Sequence, residues 1–338
     1  MLRRRSSGVT PLDGVDVVLA DLDGVVYAGP TAIPYAVESL NAAAESARVG
    51  YITNNASRTD ASVAAHLVEL GLSVAPADVV TSPQAAVRLL AGLVPAASVI
   101  LVVGGDGLVT EVEKAGFRVT RSADDSPAAV IQGFSPDLGW AQLAEASYAL
   151  ADTGDGGIPW VATNTDWTIP QQRGIAPGNG TLVSAVHSAV GRLPVVAGKP
   201  EVAIFEEARL RFGARAPLFI GDRLDTDILG ANRAGMPSAL VLTGIDKAKQ
   251  AIAAPVDQRP TYILEDLRQL HLPYPTVVTA DDDTKVTVGR AVVRLRGNDV
   301  EILKRGDEKI DLLRAACALI WGSGRAIYGL RVPEELYS

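Results

Sequence analysis

The run GVDVVLADLDG, residues 14–24, restricts what this chain can become more than any other stretch. Its apolar segment is short and unbroken, the pattern of a strand buried on both faces in a parallel sheet. Where that strand should end stand two carboxylates, Asp21 and Asp23, followed by Gly24, which permits a sharp turn. Burying ionised carboxylates is costly unless something positive neutralises them, so a divalent cation is the natural counterpart. In open α/β sheets the carboxyl ends of the strands are also where ligands bind. The competing account makes Asp21 or Asp23 a helix N-cap, accepting from free backbone N–H groups.

Three further apolar runs end in the same manner. VGYITNN ends on Thr53, Asn54 and Asn55, and VVAGKP puts Lys199 between Gly198 and Pro200. PLFIGDRLDTDI puts Asp222 directly after an apolar run and Asp227 five residues on. Singly these are ordinary: a lysine beside Gly and Pro is usually a solvated loop residue, and Gly-Asp commonly starts a helix. Together, a hydroxyl, an ammonium and two pairs of acids at strand ends describe the handling of a phosphoryl group. Acids hold Mg²⁺ and attack, while a hydroxyl and a cation hold phosphate oxygens.

Between these runs, strand-like and helix-like segments alternate, which predicts an α/β fold with a doubly wound parallel-sheet (Rossmann-like) core. DVVLA precedes a helix expected to start near Pro34, and GYIT precedes SRTDASVAAHLVELG, closed by Gly71. The gap from Thr53 to Lys199 is too long for one connection and holds units of its own, such as SVILVVGG with DGLVTEVEKAGF and AAVIQGF with LGWAQLAEASYALAD. The expected division is a flexible tail at 1–13, a core at 14–82 and 194–270, and an inserted α/β domain at 83–193. The remainder, 271–338, is a small C-terminal α+β module. It has a hairpin turning at Gly297–Asn298 and an amphipathic helix in DEKIDLLRAACALIWGSG. So small a module is hard to stabilise alone, which makes it a docking or dimerisation element, with a homo-oligomer among the outcomes. TADDDT, just before the hairpin, reads as a solvated linker.

Composition removes several alternatives. With 338 residues, 48% hydrophobic and 21% charged, the chain has material for sizeable cores and is unlike a disordered protein. A net charge of −8 without a basic stripe argues against nucleic acid as partner, yet not against phosphates, because a bound Mg²⁺ reverses the local sign. Cys317, the single cysteine, allows no intramolecular disulfide. The basic start MLRRRSSG lacks the apolar run of a signal peptide, and no stretch of eighteen apolar residues suggests a membrane span, so a cytoplasmic protein is expected. His66, His187 and His271 are scattered without metal-ligand spacing. GGDG at Gly104–Gly107 lacks the rest of a dinucleotide fingerprint and reads as a tight strand-to-helix turn.

DxDG, a hydroxyl at the end of a second strand, a distant lysine and GDxxxxD resemble the haloacid dehalogenase superfamily of phosphohydrolases over roughly residues 14–270. DLDGVVY, TNN, GKP and GDRLDTDI look like its p-nitrophenylphosphatase-type branch, in which the insertion is a C2-type cap. The layout, with its added C-terminal segment, is most similar to the mycobacterial-type glycerol 3-phosphate phosphatases of that branch. The resemblance implies Asp21 as nucleophile, forming an aspartyl-phosphate, and Asp23 as the acid that protonates the leaving alkoxide and later takes a proton from water. It implies Mg²⁺ held by Asp21, the Asp23 backbone carbonyl and Asp222, with Asp227 orienting a metal-bound water, although Asp225 lies close enough to be confused with it. Thr53 and the Asn54 backbone would bind phosphate oxygens, and Lys199 would neutralise the charge shared by Asp21 and the phosphoryl group.

The segment ATNTDWTIPQQRGIAPGNG, residues 162–180, reads as a long Gly/Pro-rich loop with Trp167 and Arg173. The family has an NxD segment here, so Asn164 and Asp166 become candidates for positioning cap or substrate, and Arg173 a candidate substrate contact. The function implied is Mg²⁺-dependent hydrolysis of a small phosphorylated metabolite. Glycerol 3-phosphate stands first, ahead of phosphoglycolate, pyridoxal phosphate or a sugar phosphate. A phospho-accepting regulatory module is the alternative of another class, and Asp23 weighs against it, since preserving a phospho-aspartate requires no acid two residues on. The C-terminal module is outwardly similar to half of an N-acetyltransferase-like fold, without its Gly-rich pyrophosphate loop.

Overall fold

The computed structural model describes residues 8–151, 157–171, 173–280 and 284–338. Residues 1–7 of the expected tail and Asp281–Asp283 of the expected linker lie outside the described residues. The chain divides into two compact units, 1–49 with 216–338, and 50–215. The second unit contains the segment 83–193 read as an insertion, together with flanking elements that the sequence reading assigned to the core.

In the first unit, four parallel strands lie in the order Tyr262–Leu264, Ser238–Val241, Pro217–Gly221, Val17–Ala20. Val18, Leu19 and Ala20 have no exposure, as a strand covered on both faces requires. The register pairs Ala20 with Ile220 and Ile220 with Ala239, so Asp21 and Asp222 leave the same carboxyl edge of the sheet. The first helix is Ala36–Ala43, starting two residues later than Pro34 would suggest, because Tyr35 takes a left-handed conformation (φ 67°) that no helix can run through.

The C-terminal segment adds an antiparallel sheet of Val277–Thr279, Lys285–Val288, Ala291–Arg296 and Asp299–Lys304, covered by the helix Lys309–Gly322. Its apolar face is not closed within the segment but continues into the neighbouring layer. Val286, Val293, Leu313 and Ile320 belong to one apolar cluster with Leu240, Ile252, Ile263, Leu224 and Ile228 of the parallel-sheet layer. Arg314 joins the two layers, donating from Nε and Nη2 to the Ile263 carbonyl at 2.9 and 2.7 Å, with its guanidinium 4.4 Å from the Tyr274 ring centroid. Cys317 is packed inside this core, and burial pushes its thiol pKa up, so it is inert rather than nucleophilic. A segment this small packs its apolar face against the parallel-sheet layer, and the two share one interior.

The second unit holds a parallel five-stranded sheet in the order Val195–Val196, Trp160–Ala162, Ala129–Gln132, Val99–Val103, Arg118–Thr120. Its helices include Asp106–Lys114, Trp140–Leu150 and Asn179–Val190, and Leu101, Val130, Trp160, Leu150 and Val186 form a core there. The strand Arg118–Thr120 was not foreseen; three residues give no readable periodicity. The long loop read at 162–180 contains an antiparallel hairpin, Thr168–Gln171 with Gly174–Pro177. Pro170 and Pro177 masked it, since proline argues against a strand except in a narrow or edge ribbon such as this. Among the described residues, no helix is long and apolar enough to cross a membrane.

Candidate active site

Asp21 is 7% exposed, and its N–H donates to the Ile220 carbonyl at 2.8 Å, the last rung of the strand pair. The chain then turns at once. Gly24 has φ 87°, its N–H bonds to the Tyr27 carbonyl, and Val26 and Tyr27 both donate to the Leu22 carbonyl. No helix begins until Ala36, which removes the N-cap account of Asp21 and Asp23. Asp23 is exposed on this turn, while Asp21 points inward.

Asp222 and Asp227 come to Asp21 from the neighbouring strand end. The three residues are buried, and each offers a carboxylate oxygen within 4.8 Å of the others. Asp227 Oδ2 accepts from the N–H groups of Asp222 and Arg223, both at 3.1 Å, and Asp222 Oδ2 accepts from Ile245 N at 2.6 Å. A π-helical turn, Leu224–Ile228, swings Asp227 back beneath Asp222. Asp225, the rival position, turns outward to pair with Arg223 at 2.9 Å, its side chain 59% exposed. At an effective dielectric of about 20, ionised pairs this close repel by roughly 3 kcal/mol each, about 10 kcal/mol for the trio. That is comparable to the whole stability of an ordinary domain, so the trio needs a cation. Hard, anionic oxygens in this number suit Mg²⁺, so the residues present fit the metal.

The other predicted residues gather in the second unit, around Asn54. Its Nδ2 donates to Asp166 Oδ1 and Oδ2 at 3.1 and 3.2 Å and to the Lys199 carbonyl at 3.0 Å, while its Oδ1 accepts from Lys199 N at 2.8 Å. Its own carbonyl accepts from Ser82 Oγ at 2.7 Å and Asn164 Nδ2 at 2.8 Å. Asn164 Oδ1 holds the Asp166 N–H at 3.1 Å, and Asn179 Nδ2 holds the Asn164 carbonyl at 2.7 Å. Lys199 is 4% exposed. Thr53 Oγ1 accepts from Asn55 N at 3.1 Å, which leaves its hydroxyl hydrogen to donate. Thr53, Asn54, Asn164, Asp166 and Lys199 are therefore one constellation, while Arg173 sits exposed in the turn of the hairpin.

Several contributors escaped the sequence reading. Ser82, fully buried, follows the strand Val79–Thr81, and Thr243 follows the strand Ser238–Val241. Both carry the strand-end hydroxyl signal that singled out Thr53. Asn179 and Asp246 had no such signal, being a helix-start residue and a loop residue.

The chain is similar to known phosphatases in sequence and fold. The family profile described as haloacid dehalogenase-like hydrolase matches residues 18–118, and the one described as HAD-hydrolase-like matches 196–270. The D-glycerol 3-phosphate phosphatase of Mycobacterium tuberculosis is 44% identical over 308 residues, covering 90% of this chain and 86% of that protein. A crystal structure of the glycerol phosphate phosphatase from M. tuberculosis in complex with magnesium superposes with a TM-score of 0.85 at 41% identity, covering 96% of this chain and 94% of that one. The 4-nitrophenylphosphatase of Thermotoga maritima superposes at 0.71 with 27% identity, covering 78% of this chain and 98% of its own.

Proposed function

Because the chain belongs to the haloacid dehalogenase-like hydrolases, as a phosphatase of their p-nitrophenylphosphatase-type branch, we propose that it hydrolyses glycerol 3-phosphate with Mg²⁺ through an aspartyl-phosphate. The observation that carries this reading is the buried trio Asp21, Asp222 and Asp227 at one sheet edge. Mg²⁺ bound there offsets the charge that would otherwise keep a carboxylate from an anionic phosphate. Asp21 and Asp222 would hold it together with the Asp23 carbonyl, and Asp227, fixed by two backbone donors, would orient a bound water.

In the first step an Asp21 oxygen forms a bond to phosphorus as the ester oxygen leaves, and Asp23 gives that oxygen its proton. In the second, Asp23 takes a proton from water, the water oxygen bonds to phosphorus, and the acyl phosphate breaks to restore Asp21. Asp23 suits a residue that exchanges protons twice, since it is exposed on the turn. The same reading gives Thr53, Asn54 and Lys199 the phosphoryl oxygens, with Asn164 and Asp166 setting the posture of Asn54. Substrate choice belongs to the second unit, and a small phosphorylated metabolite of the cytoplasm is its class. Phosphoglycolate, pyridoxal phosphate and sugar phosphates remain the alternatives.

Release of inorganic phosphate from a panel of these esters, with Mg²⁺ and with EDTA, tests the reading. Glycerol 3-phosphate should show the highest kcat/KM, and EDTA should abolish turnover. Preference for another ester would replace the substrate and leave the chemistry standing. Turnover of none, or full turnover without metal, would remove the reading altogether.

A further inference from the structure

The loop after the strand Ser238–Val241 belongs to none of the recognised motifs, yet it touches both acid-bearing segments of the first unit. Thr243 Oγ1 donates to the Gly24 carbonyl at 2.6 Å, on the turn that follows Asp21 and Asp23. Ile245 N donates to Asp222 Oδ2 at 2.6 Å, and Asp246 N to the Asp222 carbonyl at 3.1 Å. Asp246 Oδ2 in turn accepts from Leu224 N at 2.7 Å, at the head of the π-helical turn that carries Asp227. Gly244 lies so close to the Asp222 carboxylate that a Cβ there would overlap it, so the loop wraps the acid as well as bonding it. Lys247 Nζ closes the loop on the Leu242 carbonyl at 2.7 Å.

We infer that Thr243–Asp246 is a clamp that holds the Asp21–Gly24 turn and the Asp222 carboxylate in fixed register, with Thr243 and Asp246 as positioning residues for metal binding. This rests on reading Asp21 and Asp222 as the metal-binding acids of a phosphatase. A constellation of like charges drifts apart unless other groups hold it, and a metal site loses affinity when its carboxylates are mobile. Thr243 acts on the turn through Gly24, and Asp246 acts on the Asp222 loop through two opposed hydrogen bonds. Neither is among the residues assigned to the phosphoryl group. The loop bonds both acid-bearing segments at once, the Asp222 carboxylate through Ile245 and the Gly24 carbonyl through Thr243.

The test compares the full chain with Thr243→Ala, Thr243→Ser and Asp246→Ala. Mg²⁺ affinity is measured by titration calorimetry, kcat and KM on p-nitrophenyl phosphate, and Tm without metal. Loss of a group that orients a metal ligand costs about 10–100-fold in metal affinity, and that loss is expected for both alanine variants. Their kcat at limiting Mg²⁺ should fall in step, KM for the ester should stay within about twofold of wild type, and Thr243→Ser should restore both affinity and rate. If Thr243→Ala does not fold, Asp246→Ala and Thr243→Ser carry the same comparison. Wild-type affinity in the alanine variants, with normal wild-type turnover, would overturn the clamp alone. A wild type that binds Mg²⁺ but hydrolyses no ester would overturn the phosphatase reading, while the affinities still decide the clamp. A wild type that binds no Mg²⁺ would overturn both.

Discussion

The acid cluster of the first unit and the amide cluster of the second are held in opposite ways. Around Asp21, Asp222 and Asp227, the backbone serves the side chains: N–H groups of Asp222, Arg223 and Ile245 point at carboxylate oxygens. Around Asn54 the side chains serve the backbone, with Asn54, Asn164, Asn179 and Ser82 all bonded to main-chain groups of other segments. The first arrangement concentrates charge at a cost in stability, and the second is a web of amide hydrogen bonds, one acid and one lysine that ties segments distant in sequence. Their effects on stability should therefore differ: substitutions in the acid cluster remove activity and spare the fold, whereas substitutions in the amide web weaken the fold as well.

The largest effect expected is from Asp21→Asn, which keeps the shape and removes the nucleophile. Steady-state kinetics should show kcat lower by at least about 10³-fold, while Tm in metal-free buffer stays level or rises because one of three crowded charges is gone. A variant with near-normal kcat would end the covalent mechanism, and a large drop in Tm would break the contrast. Asp23→Asn should cost about 10²–10⁴-fold on glycerol 3-phosphate and clearly less on p-nitrophenyl phosphate, whose leaving group departs without a proton. Equal losses on both esters would take Asp23 out of the acid's role.

Asn54→Ala probes the other side. It strips partners from the Asp166 carboxylate and from the Lys199 N–H and carbonyl, and at about 1 kcal/mol for each lost bond the chain should be destabilised by roughly 2–3 kcal/mol in urea melts. An unchanged unfolding midpoint would show that the web is not structural. The smallest effect lies remote from both clusters. Asp266 has its pKa lowered, first by the hydrogen bond from Arg268, whose guanidinium also lies 3.8 Å from the Tyr35 ring centroid. Its stabilising contribution is therefore present above the unfolded value of about 3.9 and is lost as pH falls from there through the folded value. Wild type should exceed Asp266→Asn slightly in Tm at pH 7, and the gap should close on acidification. A gap that persists at low pH would assign the contribution to packing.

This contrast also explains what could be read from residues alone. The acid cluster was legible because its signal is local: acids directly after an apolar run violate the ordinary rule for buried strands, as at Asp21 and Asp222. Asp225 and Asp227 could not be separated that way, because a π-helical turn decides which of them faces inward. Asn54 was found by position, but its side-chain bonds to residues more than a hundred positions away carry no periodic trace. The hairpin at 168–177 hid behind its prolines. The parallel strands and most helices were visible from periodicity, whereas for the C-terminal segment only its need to dock was visible, from its size, and not the residues it packs against, since apolar residues do not announce their partners.

That shared interior sets where the chain can be recombined. Leu224 and Ile228, which flank Asp225 and Asp227, belong to the same cluster as Leu313 and Ile320 of the last long helix. A breakpoint near residue 271 would therefore cut through packed side chains rather than between parts. Grafting the tail of one homologue onto the body of another would set a foreign lid of aliphatic groups directly against the acid-bearing turn. Chimeras built by swapping this tail should keep their metal affinity only when residues 222–228 and 309–322 come from the same parent.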